Sequence, residues 1–225
     1  MSSKAAGGIR EARVIVFLET SACLRHAIRF ESGGRKVHGV RTDMISSFIG
    51  SCKENPEILL ATSETVIKEA RGKISLAVNK TVKEVFPKNY FSLRRIAVQK
   101  CQRRLDLLLN NIETVSVSNP PFREVDDFYQ NLLKNRDKRL YDIKNSKERK
   151  GLLPSKNDIT ILAEAVKLQR DLQKPVVFVS DDMDFHYFSE DIERIFHFKV
   201  LAVKGLPVGS NIEEFLKALS VMKHY

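Results

Sequence analysis

Two runs of apolar, mostly β-branched residues constrain the fold of this chain more than any other feature. Residues 14–18 are VIVFL and residues 176–179 are VVFV, and each run is followed within three residues by an acid. An uninterrupted apolar run of this length is typical of a strand buried on both faces of a parallel sheet. Because helical patterns alternate with such runs at both ends of the chain, the sequence predicts an α/β fold with helices on both faces of the sheet.

Weaker signals complete the predicted organisation of the 225 residues. The segments 57–61 and 198–203 are further strand candidates, and Thr62-Ser63-Glu64 is typical of a helix start. The middle of the chain has apolar residues at helical spacing, separated by many charges. We therefore predict one domain over residues 1–225, formed by 14–70 and 155–225, with a basic helical insertion at 71–154.

The positive charge of the chain is concentrated in that insertion. The whole chain has 38 basic and 28 acidic residues, and Arg71 to Lys150 contains 19 of the basic and 9 of the acidic ones. The remainder is electrically balanced, and localised positive charge indicates a polyanionic partner. A solvated helical surface is the alternative. The predicted nucleic-acid contacts are Arg94, Arg95, Arg103 and Arg104.

Acidic residues stand where the predicted strands end. Glu19 directly follows the first apolar run, and Asp182 and Asp184 follow the run at 176–179. Sites in open α/β sheets form at the carboxyl ends of the strands, at the switch in strand order. Glu69 lies early in the helix after 57–61, and Asp158 lies at the start of a later helix. Converging carboxylates repel one another unless a cation is present, and their hard oxygens suit Mg²⁺ or Mn²⁺.

Each acid also has a purely structural interpretation. Asp158 stands three residues after Ser155, which is the spacing of a capping box. Glu69 stands four residues before Lys73, which is the spacing of a helical ion pair. The remaining acids would cap a helix or close a turn. Each structural interpretation accounts for one acid at a time. A common site accounts for all five acids and for their order along the chain, so the set as a whole favours a common site.

The order of these motifs resembles that of the PIN-domain nucleases. The stretches that carry the resemblance are VIVFLETSACL, SETVIKEA, SKNDITILAEAV and VVFVSDDMDF, with 71–154 unmatched. It implies a three-layer α/β/α sandwich and hydrolysis of RNA phosphodiester bonds with Mg²⁺ or Mn²⁺. Matched by position, it places the catalytic acids at Glu19, Glu69, Asp158 and Asp182. The implied metal ligands are Glu19, Asp158, Asp182 and Asp184, the last as an accessory acid, and Ser21 is the hydroxyl beside the first acid.

One residue departs from the pattern of that family. PIN-domain nucleases normally have aspartate where this chain has Glu19, and the extra methylene adds about 1.5 Å of reach. The departure favours one alternative, a non-catalytic RNA-binding protein that retains the fold. Another alternative is a scaffold whose central helices contact a protein partner or a second copy.

The cysteines and the apolar runs indicate where the protein works. Cys23, Cys52 and Cys101 are scattered without CxxC spacing, which argues against a disulfide framework or a zinc site. We therefore expect a reducing cytoplasm. The apolar runs are too short to span a membrane. The expected partner is RNA, single-stranded or structured.

Overall fold

A computed structural model of the protein describes residues 12–32, 35–37, 40–135 and 154–206, together with 214, 215 and 217. The strands are β1 Val14–Leu18, β2 Phe30–Ser32, β3 Arg35–Val37, β4 Ile58–Ser63, β5 Glu113–Val115, β6 Val176–Ser180 and β7 Lys199–Ala202. The helices are α1 Thr20–Ala27, α2 Val40–Glu54, α3 Glu64–Val85, α4 Tyr90–Leu109, α5 Phe122–Asn135, α6 Lys156–Leu172, α7 Met183–His186 and α8 Ser189–Phe196.

Five of the strands form one parallel sheet in the order β5-β4-β1-β6-β7. The chain runs outward from β1 through β4 to β5, and then returns to β6 and β7 on the other side of β1. The switch in strand order therefore lies between β1 and β6. Phe17 and Phe178 are register partners on these two strands, and their rings stack with centroids 5.7 Å apart. Strands β2 and β3 form a separate antiparallel pair.

The burial of the central strands explains why their sequences are unbroken apolar runs. Every residue of β1 and of β6 is buried, because both faces of these strands are covered. Helix α3 follows β4 directly, and the Ser63 hydroxyl caps it by accepting the Val66 N–H at 3.2 Å. The predicted α/β class with a parallel sheet flanked by helices is confirmed, and the arrangement is compatible with three layers. Among the described helices, none is long and apolar enough to cross a membrane.

The segment 71–154 contributes more than helices. It supplies β5, which pairs with β4 in the register Ala61↔Glu113, at the edge of the sheet. Three residues are too few to show a strand pattern in the sequence, so this strand was not predicted. The segment also supplies core side chains, among them Ile74 on α3 and Leu105 on α4. Residues 136–153 of the predicted insertion lie outside the described residues.

Candidate functional site

The carboxyl ends of β1 and β6 are joined by hydrogen bonds from two serines to Glu19. The Glu19 carboxylate, 2% exposed, accepts from the Ser21 N–H at 2.7 Å and the Ser21 hydroxyl at 2.6 Å. The Ser180 hydroxyl, at the end of β6, donates to the same Glu19 oxygen at 3.0 Å. Ser21 and Ser180 in turn accept the backbone N–H groups of Asp181 and Asp182. Both serines therefore fix the acid after β1 to the loop after β6.

Burial controls the ionisation of Glu19. The pKa of this carboxyl is raised from 4.5 to about 7, chiefly by its removal from water, and the nearby charge of Asp182 contributes to the rise. The hydrogen bonds from Ser21 and Ser180 act in the opposite direction, since they stabilise the ionised form. At neutral pH the group is therefore poised between its two protonation states.

Glu69 is brought beside α1 and α6 by hydrogen bonds from both helices. The Thr20 hydroxyl donates to Glu69 Oε2 at 2.6 Å, and the Asn157 side-chain amide donates to Oε1 at 3.5 Å. The Lys73 ammonium lies 2.5 Å from the same Oε1, which forms the ion pair expected from the i,i+4 spacing. Burial raises the pKa of Glu69, but the bonds from Lys73 and Thr20 outweigh it and hold the pKa below its ordinary value.

Asp158 and Asp182 each cap a helix at the same edge of the sheet. Asp158 forms the capping box of α6, with its Oδ2 accepting the Ser155 N–H at 2.9 Å. Asp182 is the N-cap of α7 and accepts the Asp184 N–H at 2.9 Å. Burial raises the pKa of Asp158, the bonds from Ser155 lower it, and the charges of Asp182 and Glu69 raise it. The capping roles expected for Asp158 and Asp182 are therefore confirmed. These acids nevertheless lie close enough to affect each other electrostatically.

A buried phenol faces this cluster of acids from α5. Tyr129 is fully buried, and its hydroxyl has no hydrogen-bond partner among the described residues. Burial raises the pKa of Tyr129 well above its ordinary value, and the charges of Asp184, Asp158 and Asp182 add to this effect. A polar ligand bound at this place would supply the hydrogen-bond partner that the buried hydroxyl lacks.

The carboxylates of Glu19, Glu69, Asp158 and Asp182, which we call the acidic cluster, come from four separate segments of the chain. Lys73 pairs with one of these acids, Glu69. Burial lowers the pKa of Lys73, but its hydrogen bond to Glu69 and the charges of Glu69, Asp158 and Glu19 outweigh burial and raise the pKa. The donors are all hard oxygens, which suits Mg²⁺ or Mn²⁺. However, among the described residues no group of three or more His, Cys, Asp or Glu side chains is placed to hold one metal ion. The chemistry of the donors fits a divalent ion, whereas their present spacing does not gather three of them around one point.

The predicted arginines do not all lie on the surface. Arg94, Arg95 and Arg103 are exposed on α4, and the Arg94 guanidinium lies 5.6 Å from the ring centroid of Phe91, which is itself 81% exposed. Arg104 is half-buried, and its Nη2 donates to the His26 carbonyl of α1 at 3.4 Å. Arg104 therefore connects two helices, and the other three arginines are available to a partner.

Several residues of the site were missed or undervalued in the sequence. Thr20, Asn157 and Ser180 place the acids through hydrogen bonds, and each lies inside one of the stretches that carry the resemblance, where no role was assigned to it. The available signal was that each is adjacent in sequence to a predicted site residue. Tyr129 carried no such signal, since its segment has no match to the motifs.

The fold and the site define an α/β protein with an acidic cluster at the switch point of a parallel sheet. Compared with models of protein families, with curated proteins and with solved structures, the chain matches none. The functional conclusion therefore depends on the residues themselves.

Replacing Glu19 by glutamine is expected to stabilise the metal-free protein at alkaline pH. The folded pKa of Glu19 is about 7 and the ordinary value is 4.5, so folding favours the protonated form. The associated stability is complete below pH 4.5 and is lost as the pH rises through about 7. Urea unfolding should show Glu19→Gln gaining about 3 kcal/mol relative to wild type between pH 4 and pH 8. The exposed acid in Glu190→Gln serves as the control, and an equal difference at both pH values would contradict the assignment.

Proposed function

We propose that this protein is a metal-dependent ribonuclease with a PIN-like fold, which hydrolyses phosphodiester bonds at the acidic cluster. The observation that supports the proposal is that carboxylates from four separate segments act electrostatically on one another near the carboxyl ends of β1 and β6, where the strand order switches. Open α/β sheets place their ligands at this point. The strand order and the flanking helices are compatible with the three-layer sandwich of that family.

The proposed cofactor is Mg²⁺ or Mn²⁺, held by Glu19, Asp158 and Asp182 with Asp184 as an accessory acid. Such an ion supplies activation of a water molecule and stabilisation of negative charge on the phosphate. Ser21 and Ser180 hold Glu19 in place. The low pKa of Glu69 keeps it ionised, as is needed of a group that orients a water molecule.

The proposed substrate is RNA in the cytoplasm, and the charge distribution supports it. Exposed arginines lie on α4, and the exposed ring of Phe91, beside the Arg94 guanidinium, is a surface on which an unpaired base could stack. The three cysteines are buried and free, as in proteins of a reducing compartment.

A second candidate, an RNA-binding protein without turnover, is favoured by two observations. Lys73 already pairs with Glu69, and among the described residues no three acids surround one point. A 5′-labelled single-stranded RNA, incubated with Mg²⁺, Mn²⁺ or EDTA, separates the candidates. Cleavage that requires the metal supports the nuclease. A gel shift in EDTA without cleavage in either metal would instead support the binding protein.

Removing the exposed arginines of α4 is expected to weaken RNA binding by a similar factor whatever the RNA sequence. Binding to RNA weakens as salt is added, and the slope of the logarithm of the binding constant against the logarithm of salt concentration measures this. Each lost phosphate contact makes that slope shallower by about 0.7 for a single strand, so Arg94→Ala, Arg95→Ala and Arg103→Ala together make it shallower by about 2. Arg104 is retained because it packs against α1.

The control removes three exposed arginines that already pair with acids, namely Arg13, Arg170 and Arg194. This control changes the net charge equally. Fluorescence anisotropy in EDTA over a range of salt gives the slope for both variants. Equal slopes for the two triple variants would mean that the α4 face is not the RNA contact.

A further inference from the structure

A groove of about 540 Å³ lies beside the acidic cluster, between α3 and the start of α6. Glu69 and Asn157 line it on the side of the cluster, and the Asn157 amide donates to Glu69 Oε1. Sites for small ligands typically have volumes of about 300–1,000 Å³. The groove is therefore large enough to hold one nucleotide of a strand that passes the cluster.

The floor of the groove is bare helix backbone at Gly72. A Cβ added there would meet no atom of the described residues within 4 Å, so packing within this part of the chain does not require glycine. Glycine inside a helix is destabilising relative to alanine, and what it permits is the close approach of a ligand to the backbone. Leu76 stands one turn further along the same face of α3 and is 74% exposed, which extends this floor with an apolar side chain.

The charges that line the groove balance one another. Glu64 and Glu69 contribute two negative charges. Lys68 and Lys73 contribute two positive charges, and the Lys73 ammonium lies 2.5 Å from Glu69 Oε1. A phosphate in the groove would gain no net attraction from this lining, and the neighbouring acids of the cluster would repel it. The lining therefore favours a neutral polar group over a phosphate.

Hydrogen-bonding groups from α3 and α6 face such a ligand. The Thr65 hydroxyl donates to Glu164 Oε1 at 2.6 Å, which leaves its oxygen able to accept a bond. The Asn157 amide donates to Glu69 at 3.5 Å, which is longer than the usual length of about 2.9–3.0 Å, so a better-placed acceptor would take this donor. The edge of a nucleobase carries donors and acceptors in one plane and matches these groups.

We propose that this groove binds an unpaired nucleobase of the RNA, with the face of the base against Gly72 and its edge toward Thr65 and Asn157. The inference rests on the proposed function, since it takes RNA as the ligand, but it requires no metal ion. It gives one nucleotide a defined place beside the acidic cluster, whereas the exposed arginines of α4 contact phosphates whatever the sequence.

The test compares a fluorescently labelled single-stranded RNA with a ribose-phosphate strand of equal length that carries no bases, by anisotropy in EDTA. Wild type should bind the RNA more tightly. Gly72→Leu fills the groove, so it should weaken RNA binding by about tenfold and leave binding of the abasic strand unchanged. The matched control is Gly50→Leu on α2, where an added Cβ also meets no atom of the described residues within 4 Å. This control should bind both strands as wild type does.

Thermal unfolding should show both leucine variants to be at least as stable as wild type, because leucine replaces glycine inside a helix. If Gly72→Leu binds RNA as tightly as Gly50→Leu does, the inference is overturned, and metal-dependent cleavage by wild type would leave the proposed function standing. An equal loss of affinity for RNA and for the abasic strand would also overturn it, because the groove would then hold the phosphate backbone. If wild type cleaves no RNA with either metal but only Gly72→Leu loses the preference for bases, the inference stands and the nuclease proposal fails.

Discussion

Asp182→Asn is expected to abolish metal-dependent cleavage of RNA and to leave the protein folded. Asparagine is as good an N-cap as aspartate, so the bond to the Asp184 N–H and the start of α7 should survive. The substitution removes one negative charge from beside Glu19 and Asp158. Replacing a residue that hydrogen-bonds to a metal ligand typically lowers metal affinity or activity by about 10–100-fold. Replacing a ligand itself should therefore lower the cleavage rate by more than about 100-fold.

The matched control is Asp181→Asn, the same change one residue earlier. Asp181 pairs with Arg25 at 2.9 Å and is not one of the proposed ligands, so its replacement by the isosteric asparagine should lower the cleavage rate far less than Asp182→Asn does. Without metal, Asp182→Asn should be at least as stable as wild type, because the crowding of carboxylates is relieved. A folded Asp182→Asn protein that cleaves RNA at the wild-type rate, free of contaminating nuclease, would remove Asp182 from the site.

Glu19→Asp is expected to lower the cleavage rate by about 100-fold, although aspartate is the usual residue of the resembling family. The longer side chain is what lets one Glu19 oxygen reach both Ser21 and the Ser180 hydroxyl on β6. Shortening it by one methylene withdraws the carboxylate by about 1.5 Å, which leaves a gap in a fully buried place.

The measurement is the cleavage rate against Mg²⁺ concentration for wild type and Glu19→Asp. Glu19→Gln serves as a control that keeps the length of the side chain and loses its charge, and it should be inactive. A clear gain in rate or in Mg²⁺ affinity for Glu19→Asp would mean that glutamate has weakened the site. The native protein would then be closer to an RNA-binding protein without turnover.

The central part of the fold could be predicted because burial on both faces leaves an unbroken apolar run in the sequence. Strands β1 and β6 were recognised in this way, and the acids after them follow from the rule that parallel strands end at one edge. Strand β4 was found with a shorter range, because its last residues, Thr62 and Ser63, are polar and yet buried. The Thr62 hydroxyl donates to the Leu18 carbonyl on β1, and the Ser63 hydroxyl accepts the Val66 N–H. A pattern of hydrophobicity does not detect such bonds.

The rest could not be predicted because it depends on contacts between distant parts of the chain. Strand β5 is three residues long and owes its structure to β4 rather than to its own pattern. Arg104 has the same sequence character as Arg103, and only the packing of α4 against α1 buries one and exposes the other. The spacing of Lys73 and Glu69 indicated an ion pair, but not its position among the other acids.

Manganese in a crystal of the wild-type protein tests the central claim most directly. Crystals grown with a saturating concentration of Mn²⁺ should give an anomalous peak at the carboxyl ends of β1 and β6, with carboxylate oxygens of Glu19, Asp158 and Asp182 as its protein ligands. The same crystals without Mn²⁺ should lack the peak. A peak elsewhere, or none within coordination distance of these three carboxylates at saturation, would contradict the assignment of the acidic cluster as a metal-dependent active site.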